Sequence, residues 1–324
     1  MRILRLLSLA ALAATLLVPQ AVRADDYPDR PITVVIPLGA GGSHDLHARG
    51  LTPILSKILG QPVVVSLVPG GAGMKGTSLV AHANPDGYTI IFTHNAFDQI
   101  TPQTRKVDFD PKTAFKSVAR INASEPLLAA RAGLPYKTIP ELIAYAKENP
   151  GKVNIGHTGV WGVGFIPTMQ FIKAAGIKVN LIPHTGGGPA MRAVLAGEDD
   201  MTFGFVTQYR PHYKDGKLVM LALAGDKPLK DDPDFKQVKT MKDYGFPGVD
   251  FTMDRIFMAP AGVPADRLAK LRKAFDELAK DPETLKFLQT IGEKLDYMNG
   301  ADYDEYRAKR MKQFSDLIKE VGAK

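Results

Sequence analysis

The sequence predicts an α/β protein built as two lobes, and three observations lead there. A strand, a glycine-rich turn and a helix follow one another over residues 32–59, again over 153–175 and again over 179–195. The first junction opens a β-α-β-α-β run, the order that builds a parallel sheet covered by helices. With the leader set aside, about 300 residues remain, enough for two domains with a core each.

Arg2 and Arg5 precede an apolar stretch over 6–18, and Val22-Arg23-Ala24 offers a small-residue cleavage site before Asp25. This is the layout of a secretory signal peptide over 1–24, cleaved near Ala24, with an apolar core too short for a stable membrane span. No second long apolar run exists, so a soluble mature protein is expected. The chain contains no cysteine, which excludes disulfides, thiol chemistry and lipid attachment to cysteine. An exported, cysteine-free chain of bacterial type points to the periplasm. Loss of the three leader arginines lowers the formal charge from +7 to +4. The only dense basic run, 307–312, reads as a solvated helix face, so nucleic acid is not expected as a partner.

Ile32, Val34 and Ile36 alternate with Thr33 and Val35 in a run apolar enough for a strand buried on both faces. Pro37 stops it, Gly39, Gly41 and Gly42 follow, and Asp45 falls in the first turn of a helix with Leu51, Ile54, Leu55 and Ile58 on its apolar face. Free N–H groups at the positive end of a helix dipole equip such a junction to bind an anion. A tight turn that uses glycine only for its φ freedom reads the same way. Pro53 interrupts the helix, and a kink is expected there.

A second strand over 63–65 leads through Pro69-Gly70-Gly71-Ala72-Gly73 into a helix over 74–83. Gly71, Gly73 and Gly76 satisfy G-x-G-x-x-G, but Pro69 intervenes and the next strand, 88–93, ends in His94-Asn95 where a dinucleotide site wants an acid. Asn84-Pro85-Asp86-Gly87 makes the turn before that strand. Residues 94–99 at its carboxyl end share the crevice with the first glycine loop, which brings in Asn95. A loop with a short helix over 108–115 and a strand over 117–121 follow.

A new unit begins at 127–131. Thr138 and Glu141 form a capping box for a helix that Pro150-Gly151 ends. Then come a strand over 153–156, the loop His157-Thr158-Gly159-Val160-Trp161-Gly162, and a helix over 163–175. A strand over 179–182, the loop Pro183-His184-Thr185-Gly186-Gly187-Gly188, and a helix over 189–195 with Pro189 in its first turn repeat the plan. Strands over 201–206 and 218–224 complete the unit. Helix N-termini from two lobes can thus face one cleft and hold a carboxylate or phosphate without a lysine clamp. A strand over 251–260 and helices over 264–280, 282–289 and 303–321 leave no length for a third domain and should return to the first. The expected division is 25–124 for lobe 1, 125–225 for lobe 2, and 226–324 for the return segment.

Segments in order along the chain carry a resemblance: YPDRPITVVIPLGAGGSHDLHAR over 27–49, LGQPVVV over 59–65, PGGAG over 69–73, NPDGYTI over 84–90, GKVN over 151–154, HTGGGPAMRAVLAGEDDMTFG over 184–204 and MAPAGVP over 258–264. In these the chain resembles the Bug-type extracytoplasmic solute receptors, the TctC-like substrate-binding components of tripartite tricarboxylate transporters. The resemblance implies a type II periplasmic-binding-protein fold, with two α/β lobes, a hinge and a ligand between them. It implies a monomer that captures a di- or tricarboxylate or an aromatic carboxylate for a membrane permease, with no cofactor and no metal. It also implies a carboxylate pincer: Gly41, Gly42, Ser43, His44 and Asp45 from one loop, His157, Thr158, Gly159, Trp161 and Gly162 from another, and His184, Thr185 and Gly186 from a third. Asn95, Phe205 and Arg255 complete the candidate set.

Departures from the resemblance bear on the ligand. Relatives often carry Tyr-Lys-Gly where this chain has His184-Thr185-Gly186, small polar residues where it has His157 and Trp161, and an aromatic pair where it has Asp254 and Arg255. Arg255 is either a bidentate partner for a second carboxylate or a surface pair with Asp254. Trp161 either stacks on the ligand or belongs to the core. His44, His47, His94, His157 and His184 lack the HExxH spacing or carboxylate cluster of a metal site and read as hydrogen-bond donors. There is no G-x-S-x-G elbow and no Walker A lysine. Two rivals remain: an exported hydrolase using Ser43, His44 and Asp45, whose consecutive side chains cannot line up as a relay, and a sensor subunit that presents its closed form to a membrane kinase.

Overall fold

The computed structural model describes residues 26–321, and the leader assigned to 1–24 lies outside the described residues. β1 (Ile32–Ile36) sits inside the first sheet, as its two apolar faces demand. It pairs in parallel with β2 (Val63–Leu67) and with β3 (Thr89–His94). β10 (Met253–Pro260) then inserts antiparallel between β3 and β4 (Phe115–Ser124), and the short β11 (Met298–Asn299) closes the edge. The order is β11-β4-β10-β3-β1-β2.

The second sheet repeats that plan. β6 (Asn154–His157) lies parallel to β7 (Asn180–Pro183) and to β8 (Met201–Gly204), and β5 (Leu127–Arg131) runs antiparallel between β8 and β9 (Leu218–Leu223). Each sheet has its own core. Ile32, Val34, Leu51, Phe92 and Phe257 pack in the first, and Leu128, Ile139, Leu142, Ile155 and Phe203 in the second. The chain crosses between sheets through Glu125-Pro126 and again over 224–252; Ala224 N–H donates to Pro126 O at 2.8 Å and lays the crossings side by side.

Helices cover both sheets. α1 (Ser43–Leu59) continues through Pro53 as one helix, and α2 (Met74–Ala81) follows β2. α3 (Ile139–Glu148) starts at Thr138, whose Oγ1 accepts Glu141 N–H at 3.4 Å while Glu141 Oε2 accepts Lys137 N–H at 2.7 Å. α4 (Phe165–Ala175) and α5 (Gly187–Ala196) follow the second and third glycine loops. α6 (Val206–Lys214) was not anticipated, because Pro211 and a run of polar residues hide its helical period. α7 (Ala265–Leu278) and α8 (Pro282–Thr290) pack against α1, where the Phe287 ring occupies the space a side chain at Gly50 would need. α9 (Gly300–Val321) lies along β4 and a π-helical turn at Ala96–Ile100. Arg307, expected on a solvated face, is instead buried in an ion pair with Asp98 at 2.6 Å.

The lobes are closed on each other. Gly39 N–H donates to Thr185 O at 3.0 Å, and Arg192 Nη1 to Ala40 O at 3.3 Å. An apolar cluster joins Trp161, Phe165 and Phe205 of the second lobe to Ala96, Ile100 and Met253 of the first.

Candidate functional site

α1 begins directly after the first glycine loop, and its cap residue Gly42 has no side chain to satisfy the first-turn N–H groups. α5 begins after Gly186 and α6 after Phe205, each again without a side-chain cap. Gly42, Ser43, His44 and Asp45 from the first start, Gly187 from the second, and Phe205 and Gln208 from the third line one cavity between the lobes. The empty space in it and at its open mouth amounts to about 410 Å³, little of it closed off from solvent. The positive ends of three helix dipoles therefore share one small volume. Thr158 and His94 add polar atoms, while Leu38, Val163, Phe203, Phe205 and Met253 make an apolar wall. Among the described residues no lysine or arginine lines it.

The polar groups on the wall have defined roles. Asp45 serves its own loop: Oδ2 accepts Gly41 N–H at 2.9 Å and Oδ1 accepts Arg49 Nε at 2.8 Å. His44 Nε2 donates to Thr93 O at 3.0 Å, which fixes the tautomer. Burial, with His94 and Arg255 close by, holds His44 well below the usual histidine range, so the ring is neutral. His94 is held through its other nitrogen, Nδ1 accepting Phe97 N–H at 3.4 Å; burial and then Arg255 pull its pKa down to about 3. A neutral His94 carries its proton on Nε2, leaving that N–H as a donor on the cavity wall.

Behind the wall lies a buried network centred on Arg255. Ser43 Oγ accepts from Arg255 Nη2 at 2.6 Å and from Nε at 3.1 Å. Nη1 donates to Asn122 Oδ1 at 3.1 Å and Ser124 Oγ at 2.9 Å, and Nη2 to Glu293 Oε1 at 3.1 Å. Every N–H of the guanidinium is in use, and its carbon stands 4.6 Å from the Phe205 ring centre. Neither expectation for Arg255 holds, since it offers no free fork to the cleft, and Asp254 instead takes Arg120 Nη1 at 3.3 Å. It braces Ser43 from behind. Glu293 ties this network to the other lobe, accepting from Thr207 Oγ1 of α6 at 2.8 Å as well as from Asn122 and Ser124. Burial pushes the Glu293 carboxyl up, but the Arg255 charge and the Ser124 and Thr207 hydroxyls hold it below its usual value.

Of the expected residues, Gly42, Ser43, His44, Asp45, Thr158 and Phe205 line the cavity. The others stand around it. Gly41 gives its N–H to Asp45. Asn95 braces β10, donating to Thr252 O at 2.8 Å. His157 is buried with its ring 5.2 Å from Phe165, and burial lowers its pKa. Gly159 faces Ala72 of the other lobe, and Gly162 closes its own loop by donating to Gly159 O at 2.9 Å. Trp161, at φ 64°, places its ring in the interlobe apolar cluster against Phe165 and is not among the residues lining the cavity. His184 is drawn to Asp199, Nε2 to Oδ2 at 2.6 Å, where burial raises the carboxyl. Thr185 and Gly186 contribute backbone to the lobe contact.

The hydrolase alternative fails on geometry. His44 Nε2 donates to Thr93 O at 3.0 Å, Asp45 is engaged by Gly41 N–H and Arg49 and not by His44, and Ser43 Oγ is held by Arg255, so the three do not form a relay. Among the described residues no three His, Asp or Glu side chains gather as a metal would require. Glu293, Gln208, Phe203 and Met253 were not anticipated. Gln208 would have followed from recognising α6, whereas Glu293 is an isolated acid with no local signal.

A family model described as the tripartite tricarboxylate transporter family receptor, TctC, matches residues 47–323. The protein of the gbd 5′ region of Cupriavidus necator is 31% identical over 304 residues, covering 94% of this chain and 91% of its own. The solved structure of the periplasmic binding protein BugD aligns with a TM-score of 0.87 at 27% identity, over 92% of this chain and 99% of BugD. MatC from Rhodopseudomonas palustris, solved with bound malate, aligns at 0.82 and 25% identity, over 90% of this chain and 100% of MatC. An R. palustris protein solved with adipate aligns at 0.84 and 25% identity, over 91% and 98%. Two lobes of matching sheet plan, a cavity built from helix N-termini between them and a family match over most of the length agree: the chain belongs to the TctC family of tripartite tricarboxylate transporter receptors, which are solute-binding proteins and not enzymes.

Proposed function

We propose that this protein is a periplasmic receptor that captures an organic carboxylate by lobe closure and delivers it to the permease of a tripartite tricarboxylate transporter. The observation that carries the reading is the meeting of three helix N-termini without side-chain caps, drawn from both lobes, on one cavity that no lysine or arginine among the described residues lines. Each such terminus stabilises an anion by about 0.3–1 kcal/mol when exposed and up to about 2 kcal/mol when partly buried. Backbone N–H groups at Ser43 and His44 would hold the carboxylate from lobe 1, and Gly187 with Gln208 would meet it from lobe 2. The hinge would lie in the two crossings, at 124/125 and 225/226. The malate and adipate bound to two relatives support the ligand class, and the leader over 1–24, cleaved near Ala24, supports export.

The test is calorimetric titration of residues 25–324, freed of ligand by unfolding and refolding, against carboxylic acids and their amides. An acid should bind with a Kd near micromolar or tighter, about −8 kcal/mol, and its amide should not. Equal binding of acid and amide, or a folded protein that takes no acid, rejects the reading.

A further inference from the structure

We infer that the ligand carries a single carboxylate on an apolar body, an inference that rests on the carboxylate reading of the same cavity. The helix N-termini converge on one end of the cavity, where they can hold an anionic group, and among the described lining residues no lysine or arginine stands further along the wall to hold a second. The basic side chains bonded to lining residues, Arg255 and Arg49, are committed elsewhere. Arg255 has given all its N–H groups to Ser43, Asn122, Ser124 and Glu293, and its charge is balanced by Glu293. Arg49 is paired with Asp45 and stands mostly in solvent.

The one acidic side chain among the described lining residues gives no help to a second anion. Asp45 sits beside the first helix terminus with both oxygens engaged, one by Gly41 N–H and one by Arg49, so it offers no hydrogen to a ligand. The two histidines on the wall are neutral, and His94 Nε2–H is a single donor where a carboxylate has about four sites to satisfy. Beyond the polar end the wall is Leu38, Val163, Phe203, Phe205 and Met253. A second carboxylate laid against those side chains would lose its water without gaining partners, at a cost of several kcal/mol. A methylene chain or ring in the same place gains about 25 cal/mol per Å² buried. His94 Nε2–H, Thr158 and Gln208 suit a neutral oxygen on the ligand body, such as a hydroxyl or carbonyl. MatC and the adipate-bound relative were solved with dicarboxylates, so the inference separates this chain from them.

The experiment is calorimetric titration of the ligand-free protein at pH 7 with matched acids. One set compares glutarate, its monomethyl ester and pentanoate; a second takes linear monocarboxylates from propanoate to octanoate, and benzoate against the phthalates. Monomethyl glutarate has the bulk of a diacid with one charge, so it separates charge from size. It should bind at least tenfold more tightly than glutarate, and the tightest ligand in the second set should be a monoacid. Glutarate or a phthalate binding as tightly as its singly charged partner overturns the inference and leaves the carboxylate reading standing. Failure of every monoacid while a diacid binds does the same. Amides that bind as well as their acids bring down the carboxylate reading itself, and the inference with it.

Discussion

Ser43 has two structural roles. Its backbone opens α1 at the cavity, and its Oγ takes two hydrogen bonds from Arg255. The guanidinium therefore shapes the site through Ser43, with Glu293 neutralising it out of contact with solvent. Removing one member of such a pair leaves the other charge buried without a partner, at about 3–5 kcal/mol, whereas replacing both by neutral groups of similar size is far milder. Arg255→Ala should lower stability by roughly that amount in denaturant unfolding, and Arg255→Lys should not rescue it, because an ammonium cannot reproduce a five-donor planar fork. The double variant Arg255→Met/Glu293→Gln should recover most of the loss. Affinity for mono- and dicarboxylates should fall by the same factor in Arg255→Ala; a selective loss of dicarboxylate binding would put Arg255 back in the cleft.

At the scale of elements, the site is a meeting of helix starts, and closeness is what glycine provides. α5 packs its first turn on the first glycine loop so tightly that a Cβ on Gly188 would stand 2.0 Å from Ala40 O and 2.8 Å from Gly42 N, both in the other lobe. Within its own helix alanine is favoured over glycine by about 1 kcal/mol. Gly188→Ala should thus keep the unfolding temperature of the ligand-free protein at or above the parent value while weakening carboxylate binding at least tenfold. Thermal scans with and without ligand would show it, since binding to the folded state alone adds about 2.7 kcal/mol at a hundredfold excess over Kd. Unchanged affinity would mean that closure does not need this contact. These junctions were legible in the sequence because strand end, glycines and helix start are neighbours in the chain. The destinations of individual side chains were not. His184 turns to Asp199, 15 residues on, Arg255 to Glu293, 38 residues on, and Glu293 to Thr207, 86 residues back. Trp161 is turned inward by a left-handed backbone that local pattern does not announce. Only the fold decides such pairings.

Over the whole molecule, the packing that closes the lobes also sets how stability follows pH. His47 and His94 are fully buried, and desolvation, reinforced by Arg255, brings both to about 3; for His47 the nearby Glu293 works the other way. In the unfolded chain a histidine titrates near 6.5. Between those values the unfolded state binds protons that the folded state refuses, so stability rises with pH by about 1.4 kcal/mol per unit for each ring and levels off above about 6.5. Glu293, depressed in the fold, contributes in the same direction at more acid pH, while Asp199 and Asp254, raised first by burial, oppose it there. His44 and His157, also lowered by burial, add to the same slope. Denaturant midpoints should therefore be flat from about pH 8 to 7 and fall steeply below about 6.5, with His47 and His94 alone removing about 4 kcal/mol by pH 5. A flat profile down to pH 5 would mean that the charged rings find partners inside the fold. His47→Gln gives the decisive comparison. Nδ1 of His47 donates to Ser43 O at 2.7 Å, a bond the glutamine amide can replace, while its Nε2 has no partner. The variant should fold at pH 8 and lose the slope of one ring below about 6.5.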